Sequence, residues 1–160
     1  MKRFALVLAT LLLAGSRPLA ADADASRQAD VERKGKAVMP FDQSASMHVF
    51  VPTARGGVQT VMVHDGDPAQ VALVRSHLRA EAARFARGDF RDPAAIHGTR
   101  MPGLRTLSAG AGRIAVTYAD VATGGRITYA TGDPRLVRAL HAWFAAQVRD
   151  HGRRVMSSLE

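Results

Sequence analysis

Histidine and methionine are the side chains with the clearest chemical potential in this sequence. The chain of 160 residues contains six histidines, six methionines and no cysteine. Imidazole binds copper, zinc and nickel, and the methionine thioether suits Cu(I) in particular. The absence of cysteine excludes disulfides, thiolate metal sites and a cysteine nucleophile. Any bound metal would therefore have to be held by histidine, methionine and carboxylate side chains.

Five of these side chains are candidate ligands for a transition-metal ion such as copper or zinc: His48, His77, His97, Met101 and His141. Each also has a simpler structural interpretation, because a lone histidine on an apolar face is more often a hydrogen-bonded core residue than a ligand. No spacing matches a recognised metal motif such as His-Glu-x-x-His. The hypothesis therefore requires the side chains to converge in space, with ligand atoms within roughly 3 to 4 Å of one another.

His97 and Met101 lie in an unusual central segment, residues 88–104, which is rich in glycine and proline. Pro93 and Pro102 each push the preceding residue out of the helical region, so the segment cannot form one regular element. We expect an ordered surface loop here. Loops held by a rigid scaffold often carry binding residues, which makes this segment the candidate site.

The sequence gives less support for an enzyme than for a metal-binding protein. The sequence has no Gly-x-Ser-x-Gly elbow and no Walker phosphate loop. The pairs Asp65/Asp67 and Asp89/Asp92 lie at turns, where aspartate is favoured for capping. We therefore expect a binding protein rather than an enzyme, with a small enzyme of unknown reaction as an alternative.

The first residues have the layout of a secretory signal peptide. A basic start at Lys2 and Arg3 precedes a short apolar run and small residues in Ala-x-Ala spacing. We expect residues 1–23 to be the signal peptide, with cleavage near Ala23, and the mature protein to be periplasmic or secreted. No later stretch reaches membrane-spanning length, so no transmembrane segment is expected in the mature chain.

The excess of basic over acidic residues does not indicate a nucleic-acid partner. The formal charge is +8 at pH 7. The arginines are spread through predicted helices and turns, and after the predicted signal peptide only Arg33-Lys34 and Arg153-Arg154 form tight pairs. A generally basic, solvated surface is the expected result for an exported protein, and nucleic acid is not expected as a partner.

Hydrophobic and β-branched patterns predict two hairpins, each followed by a helix. The predicted strands are residues 47–51, 58–64, 113–118 and 126–131. An Asp-Pro step follows each hairpin, with Asp67 and Asp133 as helix caps and proline in the first turn. The two helices are expected to end near Gly88 and Gly152.

The two halves resemble each other, which predicts an internal duplication. The stretches GGVQTVMVHDGDP and GGRITYATGDP share a glycine pair, a strand and a cap, and each helix that follows carries Val-Arg and then a histidine. The expected fold is α+β: a two-layer, pseudo-duplicated ββαββα arrangement with a four-stranded antiparallel sheet and both helices on one face. His77 and His141 would then occupy related places near the interface of the helices.

The predicted organisation is a single domain with polar ends. Residues 24–38 are expected to be a flexible lead or a short frayed helix, residues 39–152 the α+β domain, and residues 153–160 a C-terminal tail. A two-layer domain leaves one sheet face without helices. That open face supports an alternative function, a non-metal protein-interaction module of the cell envelope.

Four segments resemble a family of small exported bacterial proteins whose function is not established: MPFDQSASMHVF, GGVQTVMVHD, VRSHLRAEAARFARGDFRDPAAIHGTRMPGL and ALHAWFAAQVRDHG. The resemblance covers most of residues 39–152, and members often carry an automatic label of aspartate carbamoyltransferase. This chain has no Ser-Thr-Arg-Thr phosphate-binding motif and is far shorter than a two-domain transcarbamoylase. The resemblance implies that the histidine-containing segments belong together, and it implies no reaction.

Overall fold

The structure, a computed structural model, describes residues 19–151 and 155–156. Most of the predicted signal peptide and of the predicted C-terminal tail lie outside the described residues. The elements in chain order are α1 Leu19–Val38, β1 Ser46–Thr53, β2 Gly56–Val63, α2 Pro68–Ala86, α3 Arg91–His97, α4 Leu104–Ala109, β3 Ala115–Val121, β4 Gly124–Ala130, α5 Pro134–His151 and β5 Val155–Met156. Within the described residues, no helix combines the length and apolar character needed to cross a membrane.

The four long strands form one antiparallel sheet, as the sequence predicts. The strand order is β3-β4-β2-β1-β5, and the two-residue strand β5 adds in parallel to β1 at one edge. The sequence predicts the turn of the second hairpin at Gly124 and Gly125, between the two predicted strands. The turn instead lies at residues 122–123, and the two glycines begin β4. The expected two-layer α+β architecture is confirmed, with β5 and three further helices added to it.

Helices α2 and α5 pack on the same face of the sheet. The pleat directs Phe50, Val61 and Ile127 towards this face, and all three are buried. The opposite face carries half-buried apolar side chains, including Met47 and Val51. The interaction-module alternative depends on that opposite face and stays a prediction.

Each helix lies over the hairpin of the other half. Helix α2 packs mainly on β3 and β4, whereas α5 packs on β1 and β2. A Cβ atom at Gly57 would lie 2.3 Å from the Phe144 ring, and one at Gly125 would lie 3.0 Å from Leu78 Cδ1. Phe144 and Leu78 each follow the capping aspartate by eleven residues, 133 to 144 and 67 to 78. The second glycine of each pair therefore leaves room for the helix that crosses the hairpin, whereas the first lies against the backbone of the neighbouring strand.

The predicted helix caps are present at α2 and α5. The Asp67 carboxylate accepts a hydrogen bond from the Ala69 amide at 2.7 Å, and the Asp133 carboxylate accepts one from the Arg135 amide at 2.8 Å. These bonds satisfy amide groups that have no partner inside the helix. At the other end of α2, Gly88 has a φ of 76°, a conformation that glycine adopts most readily.

The central segment differs from the surface loop that its composition predicts. It contains α3 and leads into α4, which begins at Leu104, and the side chains of Phe90, Ile96, Met101 and Leu104 are buried. Proline in the first turn of α3 is compatible with the helix, since the amide at that position would lack an intrahelical partner. Apolar side chains spaced along these short helices therefore anchor the segment in the core.

The N-terminal region is a 20-residue packed helix rather than the flexible lead or short frayed helix that the sequence predicts. Residues 24–38 belong to α1, which packs on α3 and α5. Val31 is buried in the core cluster, and Arg27 bonds to a side chain of α5. These contacts hold α1 against the site described next.

Candidate functional site

A pocket enclosed by the sheet, α2, α3 and α5 contains four of the six histidines. The histidines that line it are His48, His77, His97 and His151. Two carboxyl groups, Glu81 and Asp92, and two amide side chains, Gln59 and Gln147, line the same space. The pocket has about 50 Å³ of free volume, which is room for a few water molecules or for one ion with its water.

The orientation of His97 is set by a buried carboxylate. His97 is the last residue of α3, and its Nδ1 lies 3.0 Å from Oδ2 of Asp150, which is 1% exposed. Arg27 donates to both oxygens of this carboxylate, at 2.7 and 2.5 Å. Burial alone would raise the pKa of Asp150, but the bonds from Arg27 and His97 outweigh burial and the pKa lies below its usual value. The carboxylate can only accept, so Nδ1 of His97 carries the proton and, in the neutral ring, Nε2 presents a lone pair.

The Nε2 atom of His97 faces a second imidazole. It lies 3.2 Å from Nε2 of His151, and the two rings meet edge to face with centroids 4.9 Å apart. Two imidazole nitrogens that bind one tetrahedral ion at 2.0 to 2.1 Å are about 3.3 Å apart. The same pair can share one proton in a hydrogen bond when no ion is bound. Burial is the main reason that the pKa of His97 lies below the usual histidine value, although Asp150 opposes the shift.

His48 and His77 continue the cluster on the other side of His151. The His48 ring stacks on His151 with centroids 5.8 Å apart, and Phe41 lies between His48 and His77. Burial lowers the pKa of His48 to about 4, with the charges of His77 and His97 contributing. Burial also lowers the pKa of His77. These rings are therefore neutral near pH 7, which is the form that binds metal ions.

A carboxyl group that ionises near neutral pH also lines the pocket. Glu81 on α2 is 4% exposed, and burial together with the nearby Asp92 raises its pKa to about 7. Arg84 Nη1 donates to Glu81 at 2.6 Å and to Asp92 at 2.5 Å, which opposes the shift without cancelling it. The pocket thus holds neutral imidazoles and a weak acid side by side.

Trp143 contributes a hydrogen-bond donor to the lining. Its side chain is buried, it lines the pocket, and its Nε1 has no acceptor among the described residues. Buried donors in folded proteins are almost always paired with protein or ordered water. An acceptor atom within the pocket would satisfy this group.

The structure places three of the five predicted ligands in one pocket, but these three do not form a group arranged to hold a metal ion. His48, His77 and His97 line the pocket, whereas Met101 is buried beside other depressions that contain Arg100. A methionine does line the pocket, but it is Met39.

His141 lies at the turn between β1 and β2, away from this cluster. Its Nε2 lies 3.0 Å from the Thr53 carbonyl and 2.9 Å from the Gly56 carbonyl, so it donates to the backbone of the turn. The sequence predicts that His77 and His141 occupy related places in the two halves. This prediction is wrong, because the two histidines differ by two residues in their distance from the capping aspartate. Counted from the caps, the counterpart of His141 is Arg75, eight residues after Asp67 as His141 is after Asp133. Arg75 bonds the backbone of the other hairpin turn in the same way.

Sequence reasoning missed His151, Asp150 and Glu81. A signal for Asp150 was present, because the buried stripe of α5 continues from Trp143 through Gln147 to Asp150 at helical spacing. A carboxylate at the end of an apolar stripe indicates a buried, paired charge.

The comparisons with known proteins provide no further guide to the site. No protein-family model, no curated protein and no solved structure matches the chain. Among the described residues, no group of three or more histidine, aspartate or glutamate side chains is arranged to hold a metal ion. The pair His97 and His151, with its Nε2 atoms 3.2 Å apart, is therefore the candidate metal-binding group.

Proposed function

We propose that this protein is an exported, periplasmic binding protein for a transition-metal ion such as copper or zinc. His97 and His151 are the paired ligands of this proposal. The observation that carries it is the 3.2 Å separation of their Nε2 atoms, which fits two bonds to one ion. Metal-binding histidines usually donate their second ring nitrogen to a carboxylate, and Asp150 occupies that place behind His97.

The third ligand is expected from a side chain that moves on binding. His48 is the first candidate, because its ring already stacks on His151 and its low pKa keeps it neutral. Met39 offers a thioether in the same pocket, which would favour Cu(I) over zinc. A site with two ligands in place and a third recruited would be suited to taking up and releasing an ion.

Titration of the purified mature protein with Zn(II), Cu(II) and Cu(I) tests the proposal. We expect one ion per chain, and we expect the double variant His97→Ala/His151→Ala to bind at least about 100-fold more weakly. His64→Ala is the matched control, since His64 is exposed and does not line the pocket. Equal binding by the wild type and the double variant, or a loss of binding in the control, would refute the assignment.

A further inference from the structure

Three depressions lie next to one another on the surface beside the metal-site candidate. The first two share Thr99, Arg100 and Met101, and the second and third share Arg105 and Thr106. We call this row of adjacent depressions the arginine groove. It runs from α1 and the end of α5, along the α3–α4 connection and α4, to the start of α5.

The fold gathers arginines from distant parts of the chain along this groove. The arginines that line it are Arg27, Arg100, Arg105, Arg113, Arg135 and Arg149. Asp133 is the only acidic residue among the described lining residues, and it pairs with Arg113 at 2.6 Å. Asp150, which pairs with Arg27, lies buried behind the surface. The groove therefore carries a positive charge that its own carboxylates do not balance.

The shape and chemistry of the groove select one class of ligand. A guanidinium group presents a planar fork of donors that matches phosphate oxygens in pairs. A single small anion would occupy one depression, whereas arginines spaced along three depressions suit a chain of anionic groups. Among the described lining residues there is no phenylalanine, tyrosine or tryptophan, and the imidazole of His97 is buried, so the groove offers no platform for stacking nucleic-acid bases. We propose that the arginine groove binds a linear polymer of phosphate groups through its backbone charge.

This inference does not rest on the metal proposal. The groove shares Arg27 and His97 with the proposed metal site, and the test leaves both residues unchanged. Short-chain inorganic polyphosphate is the probe, with binding followed by fluorescence anisotropy at several salt concentrations. The groove variant is Arg100→Gln/Arg105→Gln/Arg135→Gln. Its matched control is Arg55→Gln/Arg126→Gln/Arg138→Gln, which removes the same charge from exposed positions that do not line the groove. Thermal unfolding of each variant verifies that it is folded.

We expect the groove variant to bind polyphosphate about 100-fold more weakly, since each surface arginine near a phosphate array contributes a factor of about five. The slope of log affinity against log salt should fall by about 2, because three phosphate contacts are lost. A third variant has lysine at the same three positions, which keeps the positive charge but removes the paired donors of the planar guanidinium group. It should bind polyphosphate about 10-fold more weakly than the wild type.

Several results would overturn the inference. An equal loss in the control variant would show that net charge, and not the groove, attracts the polymer. Equal binding of poly-L-glutamate would remove the assignment to phosphate. Binding to vesicles that contain phosphatidylglycerol, without binding to polyphosphate, would identify a lipid surface as the ligand instead. No binding of polyphosphate at low salt would leave the groove without this function.

Discussion

His97 is oriented by two side chains from opposite ends of the described chain. Arg27 on α1 keeps Asp150 ionised, and Asp150 in turn keeps the proton of His97 on Nδ1. This arrangement directs the Nε2 lone pair at His151. The affinity of the proposed site for a metal ion should therefore depend on residues that never touch the ion.

The variant Asp150→Asn tests this dependence. We expect its metal affinity to fall about 10- to 100-fold, because the neutral amide no longer holds the His97 ring in one tautomer. Nitrogen-15 chemical shifts of the His97 ring would report the tautomer directly. Asp120→Asn is the control, since Asp120 is an exposed carboxylate that also pairs with arginines. An unchanged affinity together with an unchanged tautomer would show that Asp150 has only a structural role.

At the level of elements, each hairpin is built to accept the helix of the other half. The second glycine of each pair lies under a large side chain of the crossing helix, Gly57 under Phe144 and Gly125 under Leu78. The residue at the corresponding helix position, His141 or Arg75, bonds the backbone of the adjoining turn. Each helix is thus attached to the opposite hairpin at two points, one apolar and one polar.

The variant Gly57→Ala should weaken this attachment. Its added methyl group would lie 2.3 Å from the ring of buried Phe144, and such overpacking costs about 1 to 3 kcal/mol of unfolding free energy. Gly132→Ala is the matched control, since no atom lies within 4 Å of the added carbon. Urea unfolding would measure both, and equal stabilities of the two variants would contradict the proposed contact.

For the whole molecule, the buried histidines make folding sensitive to acid. The pKa of His48 falls from 6.5 to about 4 on folding, and the pKa values of His77 and His97 are also lowered. Between these limits the unfolded chain binds more protons than the folded one, so stability is lost as pH falls from 6.5 towards 4. Glu81 acts in the opposite sense, because its raised pKa stabilises the folded state increasingly as pH falls from about 7 towards 4.5.

We expect the three histidines to outweigh Glu81. The unfolding free energy should therefore decrease between pH 6.5 and pH 4.5, by about 1.4 kcal/mol for each unit of uncompensated pKa shift. Urea titrations at several pH values would measure the decrease. His48→Phe should reduce it, since that ring can no longer take up a proton. A stability that is constant over this range would show that the three histidines do not outweigh Glu81.

Local features of the sequence were sufficient for the four long strands and for α2 and α5. Enrichment in β-branched residues located the strands, and the Asp-Pro steps located the starts of the two helices, because these signals act over a few neighbouring residues. The same local signals failed in the central segment. There, glycine and proline indicated a loop, while burial of Ile96 and Leu104 against the rest of the fold stabilises short helices.

The composition of the site depended on contacts between distant residues. The sequence predicted His48, His77 and His97, but it included His141 and omitted His151, because a chain pattern does not show that each helix crosses to the opposite hairpin. The burial of Asp150 and the gathering of six scattered arginines into one groove likewise follow from that crossing and from the packing of α1. Residue types thus limited the available chemistry to imidazole, thioether, carboxylate and guanidinium, and the tertiary packing decided which of these groups meet.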